Sequence, residues 1–474
     1  MKTFSRRNFI ALSSVAAASA AMLGLTGCSN DEQPAGEPGT LSVDANLAEM
    51  TWEQILEEAK GQTVTFLAWG AGGADAFVQK YWDQLKTYVA DQYDIKLQLV
   101  EYAQAEYEKI ATDIENGGRP TYDMFWFTGA MFAPFRASEG LFGENWMAKL
   151  DCYKYLNPAD PFVAFDGINS TDNMEAPFQG CQQMLVYSQD KWSRDLAWDA
   201  AEGEVKGLFH NFTELAQWVQ KNPGKFSYMD LTGAGNFHGI LLLKALLSEL
   251  ADDGNGGWKT VYDEADDAAT RRQKIQANID AWWDWSNSAD CTEEAFYEKA
   301  AYVWAYLNEI KSHLLQGDNG PLYIATAPEM MQYVIAGDLA CTFTTCTSIA
   351  SRVEETPDAY MANPGILMMQ TSIGYWDYNV IFKNSPSKAA AMVVSNAMLE
   401  PAQQLLAFET TGNGYNIDVT KLDADMQDEF AALIEEMGAL SPTTEEVAAN
   451  GYVDKFGKVA NWIASGWDQK VNRA

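Results

Sequence analysis

The 474-residue chain predicts an α/β fold divided into two lobes. Three observations lead there. From residue 63 onward, β-rich buried runs alternate with helical periodicity, as in a mainly parallel sheet covered on both faces. Beyond a leader-like N-terminus 447 residues remain, too many for one ordinary hydrophobic core. The composition is 47% apolar with 16 tryptophans, which excludes disorder.

The leader comes first in the chain. "SRRNFIALSSVAAASAAMLGLTGC" starts with Arg6 and Arg7, crosses the uncharged stretch from Phe9 to Gly27 and stops at Cys28. That stretch is long enough to span a bilayer as a helix, but its Ala, Ser and Gly content is that of a secretory signal. Leu25 to Cys28 resembles the lipobox of bacterial lipoproteins, in which the thiol takes a diacylglycerol and becomes the new N-terminus. Ser5 to Ile10 resembles a twin-arginine (Tat) export signal, with Ile10 and Ala11 where the pattern usually has Leu and Lys; a generic basic leader on the general secretory route is the alternative. Residues 1–27 are therefore expected to be a signal peptide, and residues 28–50 a lipidated cysteine with a Pro- and Gly-containing tether. No later stretch reads as a span, so the expected location is outside the cytoplasm, on the membrane through lipid only.

Without residues 1–27 the chain loses Lys2, Arg6 and Arg7 and no acid, which leaves a formal charge of −37. Such a surface repels nucleic-acid phosphates and anionic head groups. Five cysteines remain, at 152, 181, 291, 341 and 346, an odd number for an exported protein; Cys341 and Cys346 are close enough in sequence to bridge. No CxxC is present and His210, His238 and His313 lie far from the cysteines, so neither metal nor cofactor is expected.

The elements follow in order. "TWEQILEEAKGQ" reads as a short helix with Thr51 as N-cap, Gln54 at the capping-box position and Gly61 near its end. "TVTFLAW" is a buried strand, Asp75 to Tyr93 a helix, Ile95 to Val100 a strand, Glu106 to Asn116 a helix and "YDMFWF" a third strand. Later come the strand "QQMLVYSQD", the helices "TELAQWVQKNPGKF" and "GILLLKALLSEL", and an aromatic helical region over 268–316 whose rings suit core packing. "GDLACTFTT", "TSIGYWDYNVIF", a helix from Lys388 to about Leu399 and a helical tail complete the chain.

Enzyme motifs are poorly represented. GxSxG, HExxH and the Walker A loop are absent, and two SxxK matches, "SQDK" and "SPSK", show only how common that pattern is. "GAGGAD" follows a strand as a dinucleotide loop would, but Asp75 occupies the third glycine position and would face the pyrophosphate.

The succession of lipobox, tether, "QTVTFLAWG", "YDMFWFTGAMFAPFRASEGLF", "EAPFQGCQQMLVYSQD", "PGKFSYMDLTGAGNFHGILLLKALL" and "SKAAAMVVSNAMLEPAQQLLAFE" resembles an extracellular solute-binding protein of an ABC importer. Within that group it is similar to the YnjB-like branch, related to thiamine- and iron-binding receptors. The resemblance implies a two-lobe, type II periplasmic-binding-protein fold with a hinge and an interlobe ligand cleft. Lobe one is expected over 51–182 plus 366–412, and lobe two over 183–365 plus 413–474. The implied partners are a small solute and an ABC permease with its ATPase, the receptor itself being a monomer and not an enzyme.

In such folds ligands bind outside the carboxyl ends of the strands. That rule selects Trp69, Gly70, Thr128, Gly129, Gln179, Asn236, Phe237, Thr345, Ser348, Tyr375, Trp376 and Asp377 as candidate ligand-binding residues. Aromatics there can sandwich a flat ring, and Asp377 suits a positive charge. A thiamine-like or other cationic solute is the expectation; a sugar, polyamine or peptide would also use aromatic platforms. The rival functions are an exported, Tat-dependent oxidoreductase and a non-transport surface lipoprotein.

Overall fold

The structure, a computed structural model, describes residues 47, 49–73, 76–128, 132–143, 145–158, 160–166, 169–189, 209–232, 237–345, 364–437, 442 and 444–474. Cys28, Arg6 and Arg7 lie outside the described residues, as do Asp75, Gly129, Asn236, Cys346 and Ser348.

Helix α1 (Trp52–Ala59) begins on its capping box: Thr51 Oγ1 accepts the Gln54 N–H at 3.4 Å, and Gln54 Oε1 accepts the Thr51 N–H at 2.9 Å. Next come β1 (Thr63–Ala68), α2 (Ala76–Tyr93), β2 (Lys96–Glu101), α3 (Gln104–Glu115) and β3 (Met124–Thr128). Strand β1 lies parallel between β2 and β3, with Thr63 opposite Lys96 and Phe66 opposite Met124. The helices supply the crossovers that parallel neighbours need. Helices α4 (Phe132–Ala137) and α5 (Pro161–Ala164) and a hairpin of β4 (Phe165–Asp166) and β5 (Asn169–Ser170) lead to β6 (Glu175–Gln182).

The second part starts at β7 (Met184–Ser188), followed by α6 (Phe212–Lys221), α7 (Phe237–Glu249), β8 (Leu250–Asp252) and β9 (Trp258–Thr260). Helices α8 (Ala268–Ser286), α9 (Glu293–Lys299) and α10 (Ala301–Lys311) come next, then β10 (Gln316–Gly317), β11 (Gly320–Pro321), α11 (Ala327–Ala336), β12 (Cys341–Thr344) and β13 (Pro364–Leu367). The chain returns along β14 (Ser372–Ile381) into α12 (Lys388–Leu399), α13 (Pro401–Thr411) and α14 (Ala424–Met437). It ends with α15 (Thr444–Asn450), β15 (Gly451–Val453) and α16 (Ala460–Trp467).

The large sheet runs β15-β14-β3-β1-β2, with β6 also on β14. It is mixed, where the sequence suggested a mainly parallel one. Strand β14 enters from the second part without a preceding βα crossover and runs antiparallel to both β3 and β6, with Asp377 opposite Thr128 and Gln179. A second sheet, β12-β7-β13, is antiparallel throughout. The fold is nonetheless the mixed α/β one expected.

Two large hydrophobic cores organise these layers. One gathers Phe66, Phe125, Phe127, Phe178, Tyr378 and Met392; the other gathers Leu185, Trp218, Leu243, Phe296, Ile373 and Trp467. The chain passes from the first to the second between Phe178 and Leu185 and returns between Ile373 and Tyr378. A third passage runs from Phe430 to Tyr452. Segment 413–437 packs on the first core through Ile417, Leu422 and Phe430, with Tyr415 edge-on to both Phe408 of α13 at 5.5 Å and Phe430 at 4.8 Å. Buried polar bonds pin β14 in place: Asn379 Nδ2 donates to the Ala176 carbonyl at 3.1 Å, and the Ser395 hydroxyl donates to Asn379 Oδ1.

Candidate functional site

The passages between the two cores bring β6, β14 and residues 413–416 side by side. Gly180 and Gly414 exchange backbone hydrogen bonds of 2.7 and 2.6 Å. Side chains tighten the same junction. Gln179 Nε2 donates to Asp377 Oδ2, Asn413 Nδ2 donates to Gln179 Oε1 at 2.9 Å, and the Cys181 thiol donates to Asn413 Oδ1 at 3.3 Å. Asp377 is 2% exposed. Gly180 is required here: a Cβ would come within 2.7 Å of Trp376 Nε1.

Two aromatic residues, Tyr375 and Trp376, immediately precede Asp377 on β14. The Trp376 ring stacks on Phe162 at 5.0 Å with planes 15° apart. Tyr375 meets Phe237, the first residue of α7, edge-on at 4.5 Å, and hydrogen-bonds the Thr345 side chain. Burial first, then the neighbouring Cys181 and the charge of Asp377, push the Tyr375 hydroxyl well above its ordinary range, so it stays neutral. Gln179, Phe237, Thr345, Tyr375, Trp376 and Asp377 are therefore linked by direct contacts or sequence adjacency, and Thr128 joins them as the backbone partner of Asp377.

Trp69 and Gly70 stand at the end of β1 in a separate group. Trp69 is 41% exposed, stacks on Trp126 at 6.2 Å, and its carbonyl accepts the Trp82 indole N–H at 3.0 Å. Tyr102 meets the other side of this group, 5.9 Å from Trp126. Gly70 has φ +75° and packs where a Cβ would come within 2.4 Å of Val78 Cγ1. Its N–H, with that of Gly72, donates to the Glu101 carboxylate. The donors that a dinucleotide loop would offer to phosphate are thus already engaged by an acid.

Several residues at the junction escaped the sequence reading. Phe162, Phe165 and Asp166 arrive on the α5–β4 segment, whose "FDG" carries a hairpin turn signal. Asn413 and Asn416 arrive after α13, for which no local pattern exists. Glu175 looks like an ordinary strand-edge acid in "EAPF", yet it is wholly buried.

Two open depressions lie elsewhere. One of about 320 Å³ is lined by Asn145, Tyr153, Ser170 and Asp172, and one of about 180 Å³ by Arg271, Arg272, Gln370 and Tyr452. In the second, Arg272 is committed to the Ala449 and Gly451 carbonyls at 2.9 and 3.1 Å. Neither gathers the acids and aromatics found at the junction.

Comparison with known proteins agrees with this architecture. The family model described as bacterial extracellular solute-binding protein matches residues 83–433. The protein YnjB of Escherichia coli is 25% identical over 358 residues, covering 75% of this chain and 79% of that one. Among solved structures, the cyclic α-maltosyl-1,6-maltose binding protein of Arthrobacter globiformis superposes with a TM-score of 0.54 at 12% identity, over 87% of this chain and 94% of that one. An ABC transporter substrate-binding protein of Bradyrhizobium japonicum gives 0.52 at 15% identity, over 85% and 99%. Such two-lobe structures share the fold described above. Among the described residues no helix is long and apolar enough to cross a membrane. With the family model spanning most of both cores, the chain belongs to the bacterial extracellular solute-binding proteins and captures a small solute outside the cytoplasm.

Proposed function

We propose that this protein is the capture component of an ABC importer, held at the membrane by lipid on Cys28 after export directed by Arg6 and Arg7, and working as a monomer with a permease and its ATPase. The lobes are the parts built on the two cores, with residues 413–437 taken into the first on the packing of Ile417, Leu422 and Phe430. They close over a small cationic organic solute, thiamine-like in carrying a flat charged ring. One observation carries the choice of solute: Asp377 lies on the strand that joins the cores, directly after Tyr375 and Trp376, whose rings pair with Phe237 and Phe162. A cation on an aromatic face gains roughly 0.5–2 kcal/mol, and a nearby carboxylate adds to it. Local acids matter more than the surface total, since salt screens beyond about 8 Å.

A neutral sugar is the second reading, favoured by the exposed Trp69 stacked on Trp126 beside Tyr102. An exported oxidoreductase is disfavoured because Glu101 fills the glycine loop. A thermal-shift panel of thiamine, its phosphates, polyamines, sugars, amino acids and ferric ion tests the choice. Stabilisation by a cation, lost in Asp377→Asn, is expected. A response to neutral sugars alone, unchanged in Asp377→Asn, would replace the cation with a sugar.

A further inference from the structure

One corner of the junction is not explained by packing. Glu175 opens β6 with its side chain wholly buried, and among the described residues neither carboxylate oxygen has a hydrogen-bond partner. Asp166, at the end of β4, is 2% exposed, and its Oδ2 likewise has none. A buried carboxylate without donors or a counter-ion is strongly disfavoured.

The surroundings deepen the problem. Asp166 feels Asp454, just after β15, and Asp377 on β14, while Glu175 feels Asp166. Burial first, and this repulsion second, raise both carboxyls well above the ordinary carboxylate range. Among the described residues the nearby cations are committed: Arg136, whose charge partly offsets the rise at Glu175, to Asp172, and Lys244 to Asp454. The Tyr378 hydroxyl, buried in the same place, donates to the Phe162 and Phe165 carbonyls at 2.7 and 3.2 Å. Asp160, also close to Tyr378, accepts the Phe162 N–H at 2.9 Å. Asp166 comes from the first part of the fold and Asp454 from the second, so the acids converge from both sides of the junction.

The chemistry of a ligand for this corner is restricted. Among the described residues the unpartnered oxygens of Asp166 and Glu175 are carboxyl oxygens, which disfavour an anion. Among the described residues no group of His, Cys, Asp and Glu is arranged to hold a metal ion. Phe162, stacked on Trp376, supplies an apolar wall. An organic ammonium group meets these conditions.

We propose that Asp166 and Glu175 receive an ammonium group of the captured solute and release a proton to water as it enters. The inference rests on the cationic-solute reading and goes beyond it by naming a second pair of acids and a proton stoichiometry. The ammonium keeps its own protons, one carboxyl proton leaves to solvent, and an ammonium–carboxylate pair remains. Affinity then rises with pH, by about tenfold per unit while one proton is released per cation.

Titration calorimetry on the full chain tests this, with spermidine and thiamine as cationic probes and maltose as the neutral control, in buffers of contrasting protonation heat. At least one cation should bind with release of about one proton and gain about tenfold in affinity per pH unit over the range in which that proton is released. Asp166→Asn and Glu175→Gln, each checked for cooperative unfolding, should at least halve the proton release and flatten the pH profile. The proton count on the unaltered protein needs no variant. A cation that binds without proton release, or with release unchanged in both variants, overturns this inference and leaves the cationic reading intact. Failure of both cations to bind, with or without maltose binding, counts against the two together.

Discussion

Glu249 makes stability depend on pH in a direction and size that can be worked out. It ends α7 with no exposed surface, and its Oε1 accepts the N–H of Phe212, the first residue of α6, at 2.8 Å and the Tyr262 hydroxyl at 3.3 Å. Tyr262 also donates to Gln370 Oε1 at 3.2 Å, just before β14. Burial raises the Glu249 carboxyl from 4.5 to about 7, against the opposing pull of its hydrogen bonds from Phe212 and Tyr262. Because the folded value lies above the unfolded one, the protonated form favours folding. That stabilisation is complete below about pH 4.5 and is lost as pH rises through about 7, a change of about 3 kcal/mol. Glu249→Gln keeps an acceptor for Phe212 but cannot ionise. Urea melts of both proteins between about pH 5 and pH 8 should therefore diverge, the unaltered protein losing about 3 kcal/mol relative to the variant on the alkaline side. Asp166 and Glu175 shift both curves alike and cancel in the difference. Parallel curves would refute the assignment of a raised carboxyl at Glu249.

Trp376→Ala removes the Phe162 stack, worth about 0.5–1.5 kcal/mol beyond area burial. It should weaken binding of a cationic solute in calorimetry while circular dichroism shows the fold intact; unchanged affinity would remove Trp376 from the site. Mass spectrometry of the mature protein should find a lipidated Cys28, and Cys28→Ala should release the protein from membranes; full retention with normal processing would contradict the anchor. Replacing Arg6 and Arg7 together with lysine should block export, read by fractionation, because the pair acts as an address and not as charge alone. Normal export of that variant would assign the general secretory route.

What the sequence made legible was local. The Thr51–Gln54 capping box and the alternation from β1 to β3 are written in short-range patterns, and the structure follows them. The direction of β14 was not readable, because its pairing depends on where the chain re-enters the first core and not on its own residues. The packing of Phe430 on Tyr415 was likewise invisible: an amphipathic helix shows that it has an apolar face, not which core receives it. At the junction, a rule about strand ends and crossings selects Gln179, Tyr375, Trp376 and Asp377, which the structure brings together. It misses Asp166 and Glu175, since in a chain with 66 acidic residues nothing local distinguishes a buried carboxyl from a solvated one. The Asp-Gly turn after β4 offered a hint of the hairpin, though none of the burial.

The central claim is that the two parts of the fold close on a solute. Small-angle scattering on the protein, with and without a saturating solute found by thermal shift, measures it directly. Binding should shrink the radius of gyration, with stabilisation of about 2.7 kcal/mol when free solute is a hundredfold above its dissociation constant. Tight, saturable binding with an unchanged radius of gyration would contradict closure.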